Sequence, residues 1–175
     1  MPYSTAQLKR LIRDIPDFPQ PGILFRDVTP LLADKDALAA AIDAMVAPFH
    51  GRHIDAVAAV EARGFIFGSA VARALGAGFV PIRKKGKLPW KTAQIRYDLE
   101  YGQDVLEVHC DAAAAGATVL MVDDLLATGG TMAAACGLMQ NLGARIAGLS
   151  FLVELTALNG RDKLTPFFIH SVIQY

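Results

Sequence analysis

The sequence predicts an α/β fold, an open and mostly parallel β-sheet flanked by helices. Short apolar segments alternate with helical segments along most of the chain, which is typical of βαβ units. Residues 117–122 form a continuous apolar run, as expected for a central parallel strand that helices cover on both faces. The 175 residues, 53% hydrophobic and 19% charged, suffice for one domain with a substantial core.

The first part of the chain is predicted to contain two helices separated by an irregular segment. Ser4 begins a capping box and an amphipathic helix that continues to about Asp14. Residues 16–30 hold four prolines and one glycine, which is too many for a helix. Either Asp34 or Asp36 caps the second helix, in which apolar residues recur on one face.

Strands and helices alternate in the rest of the chain. Apolar runs predict strands at 55–60, 78–83, 104–109, 117–122 and 146–153, and helices are predicted at 65–75 and 130–142. The polar connection from Lys84 to Gln103 is long, and Gly86 and Pro89 argue against regular structure in it, which favours a functional lid. Ligands bind beyond the carboxyl ends of such strands, so the loops after 60, 83 and 122 are the candidate ligand loops.

The loop after residue 122 carries the densest functional signal. Gly129 and Gly130 allow a tight turn and a close approach to a ligand, and the helix that follows attracts an anion with its free N–H groups. Asp123 and Asp124 would repel a phosphate unless they bind sugar hydroxyls or face a cation. Together these features describe a site for a phosphorylated ribose with Mg²⁺. The alternative is a capped turn with solvated acids, which this many consecutive matches disfavour.

Residues 122–131 resemble the phosphoribosyl-diphosphate (PRPP) motif of the type I phosphoribosyltransferases: hydrophobic residues, two acids, then a Thr-Gly-Gly-Thr loop. Further segments narrow the resemblance to the members of the family that act on adenine. These segments are 18–32, 61–68, 82–89, 98–102 and 152–156. The resemblance implies a single type I phosphoribosyltransferase-like domain over 1–175. It also implies a small N-terminal hood that binds the base, 1–33, and a flexible active-site loop, 84–103.

The implied reaction transfers a 5-phosphoribosyl group from PRPP to N9 of adenine, which yields AMP and diphosphate. The resemblance assigns the diphosphate to Arg63, Arg83 and Lys87, with Arg83 reaching the site of a neighbouring subunit. It assigns the ribose hydroxyls to Asp123 and Asp124. The 5′-phosphate is assigned to the loop residues Ala127, Thr128, Gly129, Gly130 and Thr131. From the residues alone, Arg63 is better interpreted as a solvated helix-start arginine, and the basic run 83–91 could equally be a solvated surface.

The remaining implied roles concern the base and proton transfer. Glu100 is the candidate that exchanges a proton with a purine ring nitrogen, and it joins Arg63 and Arg83 as a catalytic candidate. Tyr101 is implied to be a lid contact. The resemblance assigns base stacking to Phe25 and Leu125, and base-edge pairing to the backbone at Leu24 and Arg26. Gly64 is expected to permit an unusual backbone beside Arg63, and Phe25 could instead be an ordinary core residue.

The expected cofactor is Mg²⁺, bound mainly through PRPP, with Asp123 as the candidate protein contact. The four histidines lack ligand spacing, so no zinc site is predicted. A formal net charge of zero argues against nucleic-acid binding. No apolar run is long enough to cross a membrane, no signal peptide is recognisable, and the two cysteines form no disulfide framework. We expect a cytoplasmic protein with small-molecule substrates, and the resemblance favours a homodimer.

Three alternatives stay open. The first is the same chemistry on hypoxanthine, guanine, xanthine or a pyrimidine, because backbone groups that read a base leave no side-chain signature. The second is a non-catalytic sensor of PRPP or purines, although residues 1–15 and the C-terminus offer neither room nor charge for a DNA-binding extension. The third is a plain nucleotide-binding module, which the basic loop and the Glu100-Tyr101 pair disfavour.

Overall fold

The computed structural model describes residues 3–99 and 102–175. Its strands are β1 (Arg13–Pro16), β2 (Leu24–Asp27), β3 (Ala56–Val60), β4 (Gly78–Lys84), β5 (Thr92–Leu99), β6 (Gly102–His109), β7 (Thr118–Leu126), β8 (Arg145–Glu154) and β9 (Ile169–Gln174). Its α-helices are α1 (Thr5–Arg10), α2 (Thr29–Ala33), α3 (Lys35–Val46), α4 (Arg63–Leu75) and α5 (Gly130–Asn141). Short 3₁₀ segments lie at Ala47–Phe49, Thr156–Leu158 and Gly160–Leu164.

The main sheet has seven strands in the order β5-β6-β4-β3-β7-β8-β9. Strand β3 runs parallel to β4 and β7, and β8 and β9 continue the parallel part. The β5–β6 hairpin joins β4 in antiparallel orientation, and β1 and β2 form a separate antiparallel pair. The predicted open, mostly parallel α/β sheet is therefore confirmed.

Two apolar cores cover the two faces of the sheet because side chains alternate along each strand. Val57 of β3 and Leu120 of β7 belong to the core that also contains α3 and α4. Ala58 of β3 and Met121 of β7 belong to the core that contains α5. Helix α4 lies close to β3, since a Cβ at Gly68 would be 2.6 Å from the Cβ of Ala59. Helices α4 and α5 follow the parallel strands β3 and β7, so both helices start at the same edge of the sheet.

Several boundaries differ from the predicted ones. Helix α1 ends at Arg10 rather than near Asp14, and the proline-rich segment contributes β2, which pairs with β1. The cap of α3 is Asp34, whose Oδ1 accepts from the N–H groups of Asp36 and Ala37 at 2.9 Å each. Strand β7 is longer than predicted, so the acidic pair lies within a strand. Strand β9 was missed by the sequence pattern.

The prediction that 84–103 lacks regular structure is wrong for Thr92–Leu99, which form β5 and pair with β6 along their whole length. Alternate residues of β5, among them Ala93 and Ile95, pack against the core on the side of α5. Apolar residues at 93, 95, 97 and 99 alternate with polar ones, which is the pattern of a half-buried strand, and the interpretation of the segment as an irregular lid overlooked it. The mobility of residues 84–103 stays a prediction.

Within the described ranges, no helix has the length and apolar character that crossing a bilayer requires.

Candidate active site

A cavity of about 410 Å³ opens at the carboxyl ends of β3 and β7. Its walls are the ends of these strands and the loops that lead into α4 and α5. The lining residues are Val60, Glu61, Ala62, Arg63 and the continuous segment 123–132. Two of the three candidate ligand loops, those after residues 60 and 122, therefore meet in one cavity, as expected for parallel strands whose carboxyl ends share an edge.

The acidic pair lies at the base of this cavity. The N–H of Asp124 donates to Oδ1 of Asp123 at 2.9 Å, and Oδ2 of Asp124 lies 2.8 Å from Nε of Arg63. Burial and the neighbouring Asp124 charge raise the pKa of Asp123 well above its ordinary value. Burial also raises the pKa of Asp124, although the Arg63 charge opposes this. Two adjacent carboxyl groups that line a cavity, one buried and one partly exposed, favour partners such as sugar hydroxyls or a cation.

The loop between β7 and α5 has the geometry of an anion cradle. Gly129 has a φ of +78° and caps α5, a left-handed conformation that glycine adopts without steric cost. The N–H of Ala133 makes a helical bond to the Gly129 carbonyl, and the N–H groups before it belong to the first turn. Such groups have no intrahelical acceptor and carry the positive end of the helix dipole. They line the cavity with Thr128 and Thr131, which fits a phosphate group.

Arg63 is the first residue of α4 and lies between the acidic pair and the β1–β2 hairpin. Its guanidinium carbon is 5.0 Å from the centre of the Phe25 ring. Gly64 itself lies within regular helix, and the unusual backbone of the loop 61–64 is the cis peptide bond between Glu61 and Ala62. A glycine is needed at position 64 because a Cβ there would be only 2.6 Å from Oδ1 of Asp123. A glycine after Arg63 therefore allows α4 to begin directly beside the acidic pair.

The basic loop is bound to the rim of the cavity through Glu61, to which sequence reasoning gave no role. Nε of Arg83 donates to Oε2 of Glu61 at 2.6 Å, and the N–H of Lys84 donates to Oε1 at 3.1 Å. Arg83 also donates to the Lys87 carbonyl at 3.0 Å. Burial acts to raise the pKa of Glu61, but the bonds from Arg83 and Lys84 overcome this and lower it. Within this chain, Arg83 is thus held by Glu61.

Leu24, Phe25 and Arg26, the predicted base-binding residues of the N-terminal segment, lie on β2 next to Arg63. Phe25 is half-buried and meets the exposed Phe18 edge to face, with ring centres 5.1 Å apart. It belongs to neither apolar core, which disfavours a purely structural role. The Arg26 side chain instead pairs with Asp14 and lies 3.7 Å above the Tyr175 ring. A role of Arg26 in base binding therefore falls to its backbone, as the resemblance implied.

The strand register places the backbone groups of Leu24 and Arg26 on the edge of β2 that faces away from β1. Leu24 is paired with Pro16, and Arg26 with Asp14. Antiparallel pairs alternate between hydrogen-bonded and non-hydrogen-bonded ones. Since Pro16 has no N–H, we infer that these two pairs are the non-hydrogen-bonded ones. Their N–H and C=O groups therefore remain available to the edge of a planar ligand.

Two predicted site residues, Glu100 and Tyr101, are not among the residues that the structure describes.

One residue beside the cavity-lining Thr131, Tyr97, was not predicted from the sequence. Tyr97, on β5, has a raised pKa because of burial, and the side chains of Thr131 and Asp104 interact with its hydroxyl. Only the assignment of Thr92–Leu99 to a strand that faces α5 could have revealed Tyr97 from the sequence.

Among its described residues, the cavity offers few carboxyl oxygens that could bind Mg²⁺. No cluster of three or more His, Cys, Asp or Glu side chains suited to a metal ion occurs in the part of the chain described. Mg²⁺ typically uses one or two carboxylates together with substrate phosphates and water. Asp124 is paired with Arg63, which leaves Asp123 as the carboxyl group suited to contribute.

The cavity lies at the carboxyl edge of the parallel strands and is lined by the start of α5, where an anion such as a phosphate group fits. The sequence model of the phosphoribosyl transferase domain matches residues 29–172. The chain therefore belongs to the phosphoribosyltransferase family, and the resemblance found in the sequence is confirmed.

Its similar proteins narrow this class. Adenine phosphoribosyltransferase of Methylococcus capsulatus is 58% identical over 97% of this chain and 99% of the relative. The solved adenine phosphoribosyltransferase of Thermoanaerobacter pseudethanolicus has 49% identity and a TM-score of 0.96, covering 98% of this chain and 100% of that one. The Saccharomyces cerevisiae enzyme, solved with adenine and an imino-altritol bisphosphate, has 40% identity and a TM-score of 0.91 over 96% of this chain and 97% of that one.

Proposed function

We propose that this protein is an adenine phosphoribosyltransferase, which transfers the 5-phosphoribosyl group of PRPP to N9 of adenine and releases diphosphate. The observation that carries this proposal is the cavity in which the acidic pair, the glycine loop and Arg63 face one another. Family membership and relatives above 50% identity that bear this name support it.

The sugar phosphate would span the β7–α5 loop. The 5′-phosphate would lie on the N–H groups and hydroxyls of residues 127–131, because the start of α5 favours an anion. The ribose hydroxyls would bind Asp123 and Asp124. The carboxyl oxygens of this pair can accept hydrogen bonds from the two hydroxyls of a diol. Two anchors on one substrate fix the orientation of C1′.

The reaction breaks the bond between C1′ and the diphosphate oxygen and forms the bond between C1′ and N9. Its transition state has oxocarbenium character, as in other glycosyl transfers, so no covalent nucleophile is required. Arg63, Arg83 and Lys87 would stabilise the charge that develops on the departing diphosphate. Bound Mg²⁺, held by PRPP oxygens and Asp123, would supply further charge neutralisation. Closure of the basic loop would exclude water, whose attack would hydrolyse PRPP.

Adenine would bind between Phe25 and Leu125. Leu125 lines the cavity, and Phe25 approaches it from the hood across Arg63. The free edge of β2 offers N–H and C=O groups at Leu24 and Arg26, which match the ring acceptor and amino donor of adenine. Glu100 would accept the proton that the purine ring loses as N9 attacks, and Tyr101 would contact the substrate as part of the lid.

The direct test is radiolabelled adenine with PRPP and Mg²⁺, scored for AMP. We expect AMP formation that depends on all three, with diphosphate released in equal amount. Parallel reactions with hypoxanthine, guanine, xanthine and a pyrimidine base decide between adenine and the other bases. Tight PRPP binding without AMP in any reaction would instead support a non-catalytic sensor.

Substitution of Phe25 by alanine is expected to raise KM for adenine by roughly tenfold, because base–aromatic stacking contributes about 1–3 kcal/mol. KM for PRPP should rise much less, since Phe25 would stack on the base and meets the diphosphate site only through Arg63. Steady-state kinetics with each substrate varied in turn measures both constants. The control is Phe168→Ala, at an exposed ring that precedes β9 and therefore lies at the amino ends of the parallel strands, away from the cavity. Equal increases in both constants would contradict a stacking role.

Substitution of Glu100 by glutamine is expected to lower kcat by about 100-fold, a typical contribution of a positioned general base. The amide retains size and hydrogen bonding but accepts no proton, so the acidic limb of the pH–rate profile should disappear. The measurement is kcat over a range of pH with both substrates saturating. Near-normal turnover across that range would make Glu100 a bystander.

We further propose a cytoplasmic homodimer. The two free thiols, Cys110 and Cys136, suit a reducing compartment. Dimerisation rests on the family resemblance, and light scattering coupled to gel filtration measures it directly. Arg83→Ala mixed with Asp123→Asn subunits tests the shared site, because complementation in the mixed dimer requires Arg83 to act across the interface.

A further inference from the structure

The 3₁₀ segment Gly160–Leu164 contacts residues 127–131, here called the sugar-phosphate loop, through backbone atoms. A Cβ at Gly160 would lie 2.2 Å from the Ala127 carbonyl oxygen and 2.9 Å from Cδ1 of Leu126. A Cβ at Gly129 would lie 2.3 Å from the Gly160 carbonyl oxygen. Each of the two glycines therefore leaves room for the backbone of the other segment. Gly160 is buried and lies against the backbone of Ala127 and Gly129.

Arg161 fixes this segment to the sheet. Its Nε and Nη2 donate to the two carboxylate oxygens of Glu154 at 2.6 Å each. Its guanidinium also donates to the Ile169 carbonyl and to Oγ of Ser171, at 3.3 Å each. Glu154 is only 4% exposed, and the bonds from Arg161 lower its pKa. A planar guanidinium held by four acceptors on two strands has little freedom.

The Arg161–Glu154 ion pair, here called the clamp, is connected to the sugar-phosphate loop by the register of β7 and β8. Glu154 ends β8 and is paired with Leu126, the last residue of β7. The N–H of Leu155 donates to the Leu126 carbonyl at 2.9 Å. The clamp therefore supports the point at which β7 becomes the sugar-phosphate loop. Neither Gly160 nor Arg161 lines the cavity, so both act at a distance from the substrate.

We propose that Gly160 and Arg161 are positioning residues for the 5′-phosphate: they hold Ala127 and Gly129 so that the N–H groups at the start of α5 face that phosphate. The inference rests on the proposed function, and it adds residues that the PRPP motif does not contain. The phosphate is bound in both the ground state and the transition state. A displaced loop should therefore affect the KM for PRPP more than kcat.

The decisive variant is Gly160→Ala. Gly160 has no left-handed φ, so alanine is strained only by contact with the loop. A displacement of about 1 Å can cost up to about 100-fold in rate or affinity. We expect KM for PRPP to rise at least about tenfold, kcat to fall less than about threefold, and KM for adenine to stay constant. Calorimetry should show the same weakening for AMP and none for adenine.

The matched control is Gly78→Ala. A Cβ at Gly78 meets only the Asp55 carbonyl oxygen at 3.5 Å and the Ala56 Cβ at 3.9 Å, which are ordinary contacts. Its kinetic constants should equal those of the unmodified protein. Unchanged KM for PRPP in Gly160→Ala, or a loss of kcat without a rise in KM, would overturn the positioning role. Failure of the unmodified protein to form AMP would instead overturn the proposed function.

Arg161→Lys keeps the proposal testable if Gly160→Ala fails to fold. Lysine retains the charge toward Glu154 but not the bidentate geometry. The clamp should loosen while the segment keeps its ion pair, so we expect a smaller rise in KM for PRPP, about threefold to tenfold. A fully folded Arg161→Lys protein with unchanged kinetics would show that the clamp does not position the loop.

Discussion

Substitution of Asp123 by asparagine is expected to lower kcat/KM for PRPP by at least about 100-fold and to stabilise the free protein at neutral pH. Burial and the Asp124 charge make the ionised Asp123 unfavourable in the folded chain. Asparagine keeps an oxygen that can accept from the Asp124 N–H, but it lacks the charge that contributes to Mg²⁺ binding. A site that is costly without substrate therefore becomes more stable and inactive.

The pH dependence of stability distinguishes this account from a general packing effect. A carboxyl group whose folded pKa is raised stabilises the fold at pH below its unfolded value, and this contribution is lost as pH rises through the folded pKa. The stability gain of Asp123→Asn should accordingly be present at pH 7 and disappear near pH 4. Urea denaturation at both values measures it, with the exposed helix position Asp43→Asn as the control. A variant with unchanged turnover would remove the ribose-binding role.

Substitution of Arg63 by alanine is the second large effect. We expect kcat/KM for PRPP to fall by about 100-fold or more, because a charge-assisted contact to the diphosphate is lost from the transition state. KM for adenine should rise much less, since Arg63 meets the base site only through the Phe25 ring. Arg63→Lys should recover only part of the activity, because an ammonium group cannot make two parallel bonds to the diphosphate.

Arg63→Ala should also destabilise the protein, by about 1 kcal/mol. It leaves the Asp124 carboxylate, only 8% exposed, without its cation, whereas the Arg63 side chain is 39% exposed, which reduces the expected loss. The matched control is Arg73→Ala, an exposed arginine in the last turn of the same helix. Equal weakening of PRPP and adenine would contradict a diphosphate role, and equal stability of the two variants would contradict the ion pair.

The sequence predicted most strands that form the core, because their apolar runs report burial directly. Strand β5 carries polar residues on one side and packs on α5 with the other. This alternation is present in the sequence, but Gly86, Pro89 and the length of the connection led to the prediction of an irregular lid. The proline-rich segment was correctly excluded from helix, yet its pairing with β1 depends on a register that composition does not encode.

The amino-acid sequence by itself predicted that residues 122–131 join a strand to a helix through a glycine turn, because these are local structures built by adjacent residues. Family membership followed from the same contiguous motifs. Only the tertiary structure decided that Arg63 faces both Asp124 and Phe25, that Glu61 holds Arg83, and that Gly160 contacts Gly129. These contacts join segments distant in the chain, and their specificity comes from packing distances that no local pattern records.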